Sequence, residues 1–434
     1  MKLMGFGHSG RAVIAAAAVM LGTSVATEAL ATSGSFQLGY SASQRGAGGT
    51  GVAMARDANS AAINPALAFG VGHEFDIGVD VFMPFRGYDA TGTWLVAPGE
   101  VRSERNFFLI PNIAYNMPID DHSAMNFAIF GAGGNNTTYT SGTGCQAPGF
   151  PTGPGVFCAG NTGVDLLQAF ASASYAYNMG PLTIGIAPTV AIQTFEAKGL
   201  GAFGMFGLSS KPNRLTNEGY DWSFGLGLRG GFTLEVTDAL TIAVSGNTKY
   251  EMSEFKKYAG LFADHGKFDI PATITAGLAY EISPDVTFLF DWTRIFYDGV
   301  AAISNPTVTG KLYGASGGPG FGWDNVDIWK FGLEWKQSDQ MTWRVGYAYN
   351  NNPVGSNDVT TNILAPGVVQ HHFTAGGTYK INETDSIDFA AIYVPSSTVS
   401  GIEVAPPPAG PNTASKIKLE MHQFDFSINW KRVF

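Results

Sequence analysis

From Glu74 the sequence reads E-F-D-I-G-V-D-V-F-M, which places Phe75, Ile77, Val79, Val81 and Met83 on one face and Glu74, Asp76, Gly78 and Asp80 on the other. A period of two is the mark of a strand. Similar segments recur to the last residue, separated by Gly, Asn, Asp and Pro. Their starts fall near residues 74, 107, 124, 166, 182, 222, 240, 269, 286, 326, 341, 371, 386 and 422, predicting an all-β chain of fourteen strands. Spread over residues 69–434, this allots roughly 26 residues to each strand with its connection, a spacing that suits a transmembrane antiparallel β-barrel. The expected connections alternate in length. Those at Asn178–Pro181, Ser283–Asp285, Gln337–Gln340 and Asn382–Asp385 are brief, and those over 135–164, 198–220, 251–268, 298–322 and 394–420 are long. Short turns at one end and long loops at the other are the asymmetry of an outer-membrane barrel.

The strand faces say which solvent surrounds the barrel. Trp222, Phe224, Leu226 and Leu228 alternate with Ser223, Gly225, Gly227 and Arg229, while Trp329, Phe331, Leu333 and Trp335 alternate with Lys330, Gly332 and Glu334. A water-soluble fold would bury the aromatic rows in a core and leave the polar inward set unexplained. In lipid the aromatic rows face outward. Only 14% of residues are charged, against about 25% in soluble domains. The net charge of −10 and the lack of a basic cluster exclude nucleic acid as a partner, and no apolar run is long enough for a membrane helix.

Lys2, His8 and Arg11 precede an apolar stretch from Ala12 to Val25, and Ala29-Leu30-Ala31 fits a small-x-small cleavage site. Residues 1–31 therefore read as a signal peptide, with Thr32 the first mature residue. Export permits a disulfide between the chain's two cysteines, Cys145 and Cys158. The stretch between them has no His, which disfavours a metal site there. His371-His372 is too isolated to bind a metal, and no Ser, His and acid grouping supports an enzyme. No cofactor is expected.

Between the signal and the first strand, residues 32–69 are small, Gly-rich and weakly alternating. Gly46, Gly48 and Gly51 match G-x-G-x-x-G literally, but no apolar strand precedes them and no βαβ unit surrounds them, so a dinucleotide site is excluded. The run G-A-G-G-T-G-V-A-M-A-R-D-A-N-S-A-A-I-N-P-A from Gly46 to Ala66 resembles the N-terminal hatch of the outer-membrane long-chain fatty-acid transporter family, often called FadL type, with its Asn-Pro-Ala signature at Asn64-Pro65-Ala66. Pro111-Asn112, the stretch Asp269 to Tyr280, and Arg344 to Tyr349 with Pro353 extend the similarity over nearly all of the mature chain. The family includes relatives that take up hydrocarbons. The resemblance implies a monomeric barrel, residues 70–434, plugged by a hatch over 32–69. It further implies passive uptake of hydrophobic molecules through external capture, hatch movement and sideways release into a Gram-negative outer membrane. The alternating end from Phe424 to Phe434 looks like the strand read by the barrel assembly machinery, and the outer face would meet lipid and lipopolysaccharide.

On this reading Gly46, Gly48, Gly51, Asp57, Asn64, Pro65 and Ala66 build the hatch. The Asn64–Ala66 junction is expected to be rigid, and the Gly/Ser-rich stretch Thr32 to Ser43 mobile. Leu200, Phe203, Met205, Phe206 and Leu208, with Phe255, Tyr258, Leu261 and Phe262 spaced as on a short amphipathic helix, are candidates for external substrate capture. Arg45, Arg56, Arg229, Lys330 and Arg344 are candidate lumenal charges, set either to hold a carboxylate or to seat the hatch. Gly131, Gly133 and Gly134 end the third predicted strand; they mark a plain turn or, as the family implies, a lateral opening. Substrates are long-chain fatty acids or, alternatively, aromatic or aliphatic hydrocarbons. A general porin and a surface adhesin are the competing functions.

Overall fold

The computed structural model describes residues 34–142, 153–405 and 410–434. Residues 1–31, read above as a signal peptide, and Cys145 lie outside the described residues. Fourteen long strands run in chain order: β1 (Glu74–Thr91), β2 (Phe108–Asp120), β3 (Ser123–Tyr139), β4 (Thr162–Met179), β5 (Leu182–Lys198), β6 (Asp221–Thr237), β7 (Leu240–Asn247), β8 (Thr273–Ser283), β9 (Val286–Ile295), β10 (Val326–Lys336), β11 (Met341–Asn350), β12 (His371–Lys380), β13 (Asp385–Ala405) and β14 (Gly410–Val433). Each is antiparallel to its chain neighbours. β14 pairs back onto β1 from Glu74↔Val433 to Thr91↔Lys416, so the sheet closes into a barrel. Closure pairs the sheet's first strand with its last, the condition for crossing a bilayer with strands. Two short loop strands, Gly99–Arg102 and Glu251–Met252, add to β1 and β6.

The alternation resolves as the sequence predicts. Leu226 is 71% exposed, and Trp222, Phe224, Trp335 and Phe426 are also outside, whereas Ser223, Arg229, Lys330 and Asp76 are buried on the lumenal side. An apolar outer band over a polar, filled interior is stable in lipid and would aggregate in water.

All but three strands start within one residue of the predicted positions; β4 starts at Thr162, β8 at Thr273 and β14 at Gly410. The expected long loop over 394–420 is instead a paired hairpin, with register running from Ser397↔Met421 to Ala405↔Gly410. Its small and polar residues carry no lipid-facing pattern because it stands beyond the membrane. β14 alone has 24 residues, against about 9–11 needed to cross. Conversely, residues 351–370, unremarked as a long connection, form a loop that buries Val359, Ile363, Leu364, Val368 and Val369. Tyr139 Oη and Thr137 Oγ1 of β3 bond its carbonyls at Ile363 and Leu364, both at 2.8 Å.

Residues 34–73 lie inside the barrel. Their backbone meets the wall at β14 (Ala42 N to Asn429 Oδ1, 3.0 Å), β12 (Gly48 N to Thr374 Oγ1, 2.9 Å), β9 (Gly51 N to Asp291 Oδ2, 2.9 Å) and β1 (Ala58 N to Glu74 Oε1, 2.7 Å). The plug ends with the helical turn Ala68–Val71, and β1 follows at Glu74. Glycines on both sides permit this approach. Gly48 has φ +72°, and a Cβ there would stand 2.7 Å from the Phe331 carbonyl oxygen. On the wall a Cβ at Gly332 would stand 2.6 Å from the Ala47 oxygen, one at Gly376 3.0 Å from Gly46 Cα, and one at Gly346 would strike the Gly48 backbone. Gly332, Gly346 and Gly376 thus form an inward glycine patch on β10–β12 that seats Gly46–Gly48.

Candidate functional site

Asn64-Pro65-Ala66 sits against a second bare patch of wall. Asn64 is extended (φ −139°, ψ 113°), and Pro65 opens the 3-10 turn Pro65–Leu67. The Asn64 side chain accepts from Ala66 N at 3.1 Å and donates to the Val52 and Phe232 carbonyls at 2.9 and 3.2 Å. One amide thereby caps the turn, ties it to the rest of the plug and ties the plug to β6. A Cβ at Gly185 of β5 would collide with Pro65–Ala66, and one at Gly231 of β6 with the Asn64 amide. Asp57 is the internal knot. It caps the 3-10 turn Ala58–Ala62 in a reciprocal box with Ser60 and accepts from the hydroxyls of Ser41, at 2.7 Å, and Ser43.

Three of the five candidate lumenal cations are ion-paired. Arg45 Nη1 lies 2.9 Å from Asp80 Oδ2, and Glu334 Oε2 receives both Arg56 Nε at 3.0 Å and Arg344 Nε at 2.6 Å. Lys431, which the sequence reading did not single out, pairs with Asp388 at 2.9 Å and reaches the Arg56 carbonyl at 3.3 Å. Arg45 and Arg56 belong to the plug and their partners to the wall, so these pairs seat one on the other. Of the two roles left open for Arg344, holding a carboxylate or seating the hatch, its pairing with Glu334 favours the second.

Arg229 and Lys330 differ. Both are buried, and neither has a carboxylate within ion-pair distance among the described residues; Arg229 Nη1 has no hydrogen-bond partner either. They line one small cavity between the plug residues Phe36–Tyr40 and the wall, with Ile63, Ile295 and Ile328 as apolar lining and Thr273, Thr275 and Thr293 as polar lining. The Arg229 guanidinium also lies over the Phe130 ring, 5.4 Å from its centroid. The segment expected to be mobile forms one side of this cavity and is held in place. Ser35 N donates to Tyr297 Oη at 2.7 Å, Gln37 accepts from Arg45 Nη2 at 2.5 Å, and Tyr40 N donates to Gln44 at 2.8 Å. Composition favoured freedom here; a buried tyrosine from a distant loop opposes it.

At the loop end of the barrel, Leu200, Phe203, Leu261 and Phe262 line an apolar pocket. Phe157, Phe195, Tyr313 and Phe321 complete a six-ring aromatic lining, with Leu364 from the loop 351–370. The expected amphipathic helix over Phe255–Phe262 does not form. A 3-10 turn, Lys256–Tyr258, is followed by Ala263–Gly266, in which Asp264 and His265 take positive φ. Phe255 and Tyr258 nevertheless pack against Phe195, at centroid distances of 5.6 and 4.8 Å. Leu208 is buried beside this cluster, Phe206 packs on it, and Met205 is 65% exposed.

Gly131, Gly133 and Gly134 do not end β3, which continues to Tyr139. They mark a bulge in its pairing with β4, and Gly133, at φ +117°, leaves room for the Ser35 carbonyl. On the other side, the β2–β3 ladder stops at Asn112↔Phe130, although β2 begins four residues earlier at Phe108. Contact resumes only where Glu104 N bonds the Thr138 carbonyl at 2.8 Å. Phe108–Pro111 and Gly131–Thr137 therefore border a gap in wall pairing, and Pro111 has no N–H with which to close it. Cys158 is disulfide-bonded.

The sequence reading missed Phe157, Phe195, Tyr313, Phe321, Leu364 and Tyr297. They come from four separate segments, and only their clustering makes them a site. The bare inward row Gly332, Gly346 and Gly376 was visible as glycines on the polar face of adjacent strands.

No family model matches the sequence, and no curated protein matches it. Solved structures do. The toluene transporter TodX of Pseudomonas putida is 19% identical with a TM-score of 0.66, covering 91% of this chain and 99% of its own. The Ralstonia pickettii toluene transporter TbuX is 18% identical with a TM-score of 0.60, covering 91% and 98%. A Pseudomonas aeruginosa FadL homologue is 14% identical with a TM-score of 0.68, covering 92% and 100%. The chain shares the fold of these barrels along their whole length.

Proposed function

We propose that this protein is a passive channel of the Gram-negative outer membrane that takes up hydrophobic molecules, with long-chain fatty acids as its substrate class. The ligand is captured in the aromatic outer pocket, passes to the inner cavity as the plug yields, and leaves sideways through the gap between β2 and β3. One observation carries the choice of substrate: among the described residues no carboxylate lies within ion-pair distance of buried Arg229 or Lys330, although Asp291 faces Lys330, and both cations line a cavity that is otherwise part apolar. Uncompensated buried charge is destabilising, and a carboxylate on an acyl chain supplies the missing anion. The fold shared with the toluene transporters and the FadL homologue supports hydrophobic uptake in general. A second reading, uptake of aromatic or aliphatic hydrocarbons, is favoured by the six aromatic rings of the outer pocket, which offer a neutral ligand everything and a carboxylate nothing. In this reading the protein acts as a monomer, is inserted by the barrel assembly machinery through β14, and is surrounded by lipid and lipopolysaccharide.

Growth of a deletion strain on oleate, toluene and alkanes tests the proposal. Loss confined to oleate supports the fatty-acid reading, and loss confined to toluene or alkanes supports the hydrocarbon one. Unimpaired growth on all three points to an adhesin. Large, steady ion conductance of the purified protein in planar bilayers points to a general porin. Arg229→Met and Lys330→Met should each weaken oleate binding at least tenfold, the factor for one lost charge-assisted bond of about 1.5 kcal/mol, and leave a neutral hydrocarbon unaffected.

A further inference from the structure

The buried cations of this barrel fall into two sets. Arg45, Arg56, Arg344 and Lys431 are ion-paired. Arg229 and Lys330 are not, and they line the inner cavity. One further cation shares their condition and lies elsewhere. Arg86 of β1 is 4% exposed and has no carboxylate within ion-pair distance among the described residues. Its Nη2 donates to the Arg105 carbonyl at 2.7 Å, while its buried Nε has no partner.

Arg86 sits at the wall gap. Its guanidinium lies over the Phe108 ring, 5.8 Å from the centroid, and Phe108 begins the unpaired stretch of β2. Arg86 also lines a separate, very small cavity with Gly134 and Asn135, which are on the unpaired edge of β3, and with Gly34 of the plug. Both borders of the gap thus carry an aromatic ring with a guanidinium over it that has no ion-pair partner among the described residues: Arg229 over Phe130 and Arg86 over Phe108.

We propose that Arg86 forms a second carboxylate site, at the gap, that takes the headgroup of a long-chain fatty acid leaving the inner cavity. An anion moving from Arg229 and Lys330 toward hydrocarbon would otherwise cross a dry wall with its charge uncompensated. A guanidinium is suited to the step, because its planar fork binds a carboxylate with two parallel bonds and its face stacks on an aromatic ring. The space beside Arg86 is far too small for an acyl chain, so Arg86 serves as a waypoint for the headgroup and the chain lies in the gap itself.

This inference rests on the fatty-acid reading, and the test separates the two. Initial uptake of oleate and of oleyl alcohol, which has the same chain without the charge, is compared in cells expressing wild type, R86M and R86K. Oleate affinity is measured on the purified proteins, and barrel folding is read from heat-modifiable gel mobility. R86M is expected to slow oleate uptake about tenfold, as for one lost charge-assisted bond, with oleate affinity and alcohol uptake retained; R86K restores most of the rate. If R86M does not assemble, R86K and R86Q give the same contrast, because only R86K keeps the charge. Wild-type oleate uptake undiminished in R86M overturns the Arg86 site alone. Equal loss of oleate and alcohol also overturns it, since that marks a damaged wall. Wild type that imports the alcohol and not oleate overturns the fatty-acid reading and the Arg86 site together.

Discussion

Glu334 is the residue on which plug and wall lean together, and Glu334→Gln tests that directly. Its Oε2 takes Arg56 Nε at 3.0 Å and Arg344 Nε at 2.6 Å, and the side chains are only 14%, 2% and 5% exposed, respectively. The amide keeps the shape and one acceptor oxygen but leaves two buried guanidinium groups facing each other with their shared anion gone. Removing one partner of a buried pair costs about 3–5 kcal/mol. Asp388 stands 3.8 Å from Arg344 Nη1 and compensates part of the loss, so the lower end, about 3 kcal/mol, applies. Most of that strain is relieved when the plug withdraws and water reaches both arginines. The unseated state should therefore become roughly 150-fold more populated. Single-channel recording in planar bilayers reads this as more frequent openings, and hydrogen exchange reads it as faster labelling of residues 44–60. Openings and exchange indistinguishable from wild type would refute the reasoning, and with it the view that these charges hold the plug.

Phe203→Ala removes one ring of the outer pocket and should weaken external capture of a neutral aromatic about tenfold, since the apolar surface that ring shields from water is worth roughly 1.5 kcal/mol; binding to whole cells at low temperature measures it, and unchanged binding would remove the pocket from the uptake route. A disulfide between the Ser35–Tyr40 segment and the facing wall should abolish uptake while leaving outer capture intact, and reduction should restore uptake relative to wild type in the same reductant; full transport by a verified, oxidised tether would end the gating mechanism. Glu251, hydrogen-bonded by Lys249 and Lys267, is held down to about 2 from its ordinary 4.5. Its clamp on the loop 251–268 is therefore complete above pH 4.5, declines as the pH falls below that value and is gone below about 2. Faster exchange of this loop at neutral pH in E251Q, by a few-fold only because the pairs are exposed, would agree; a wild-type loop that loosens already at pH 6 would not.

The barrel was legible because a strand in lipid has one apolar neighbour throughout its length and must alternate. Trp222-Ser-Phe-Gly-Leu-Gly-Leu-Arg229 could hardly be read another way. Legibility failed where the solvent changed. Above the membrane, β13 and β14 are wetted on the outside and covered on the inside by the loop 351–370, so Thr-Val-Ser-Gly and Lys-Ile-Lys-Leu read as linker although they are fully paired. The loop 351–370 failed for the opposite reason. Its Val359, Ile363 and Leu364 are apolar without a period, and apolar residues without a period predict no element.

The lumenal charges show a limit of another kind. Sequence places Arg229, Lys330 and Arg344 on the inward set by parity alone, and parity treats them alike. What separates them is register across strands and the position of the plug. Arg344 lies directly opposite Glu334 in the β10–β11 ladder. Lys330 lies opposite Asp291, but that carboxylate's Oδ2 is turned to Gly51 N and Val52 N, at 2.9 and 3.1 Å. One carboxylate thus serves the plug's backbone through Oδ2 and faces Lys330 without closing an ion pair on it. That division depends on the plug as well as on two strands, which is why it could not be inferred from the strand that carries Lys330.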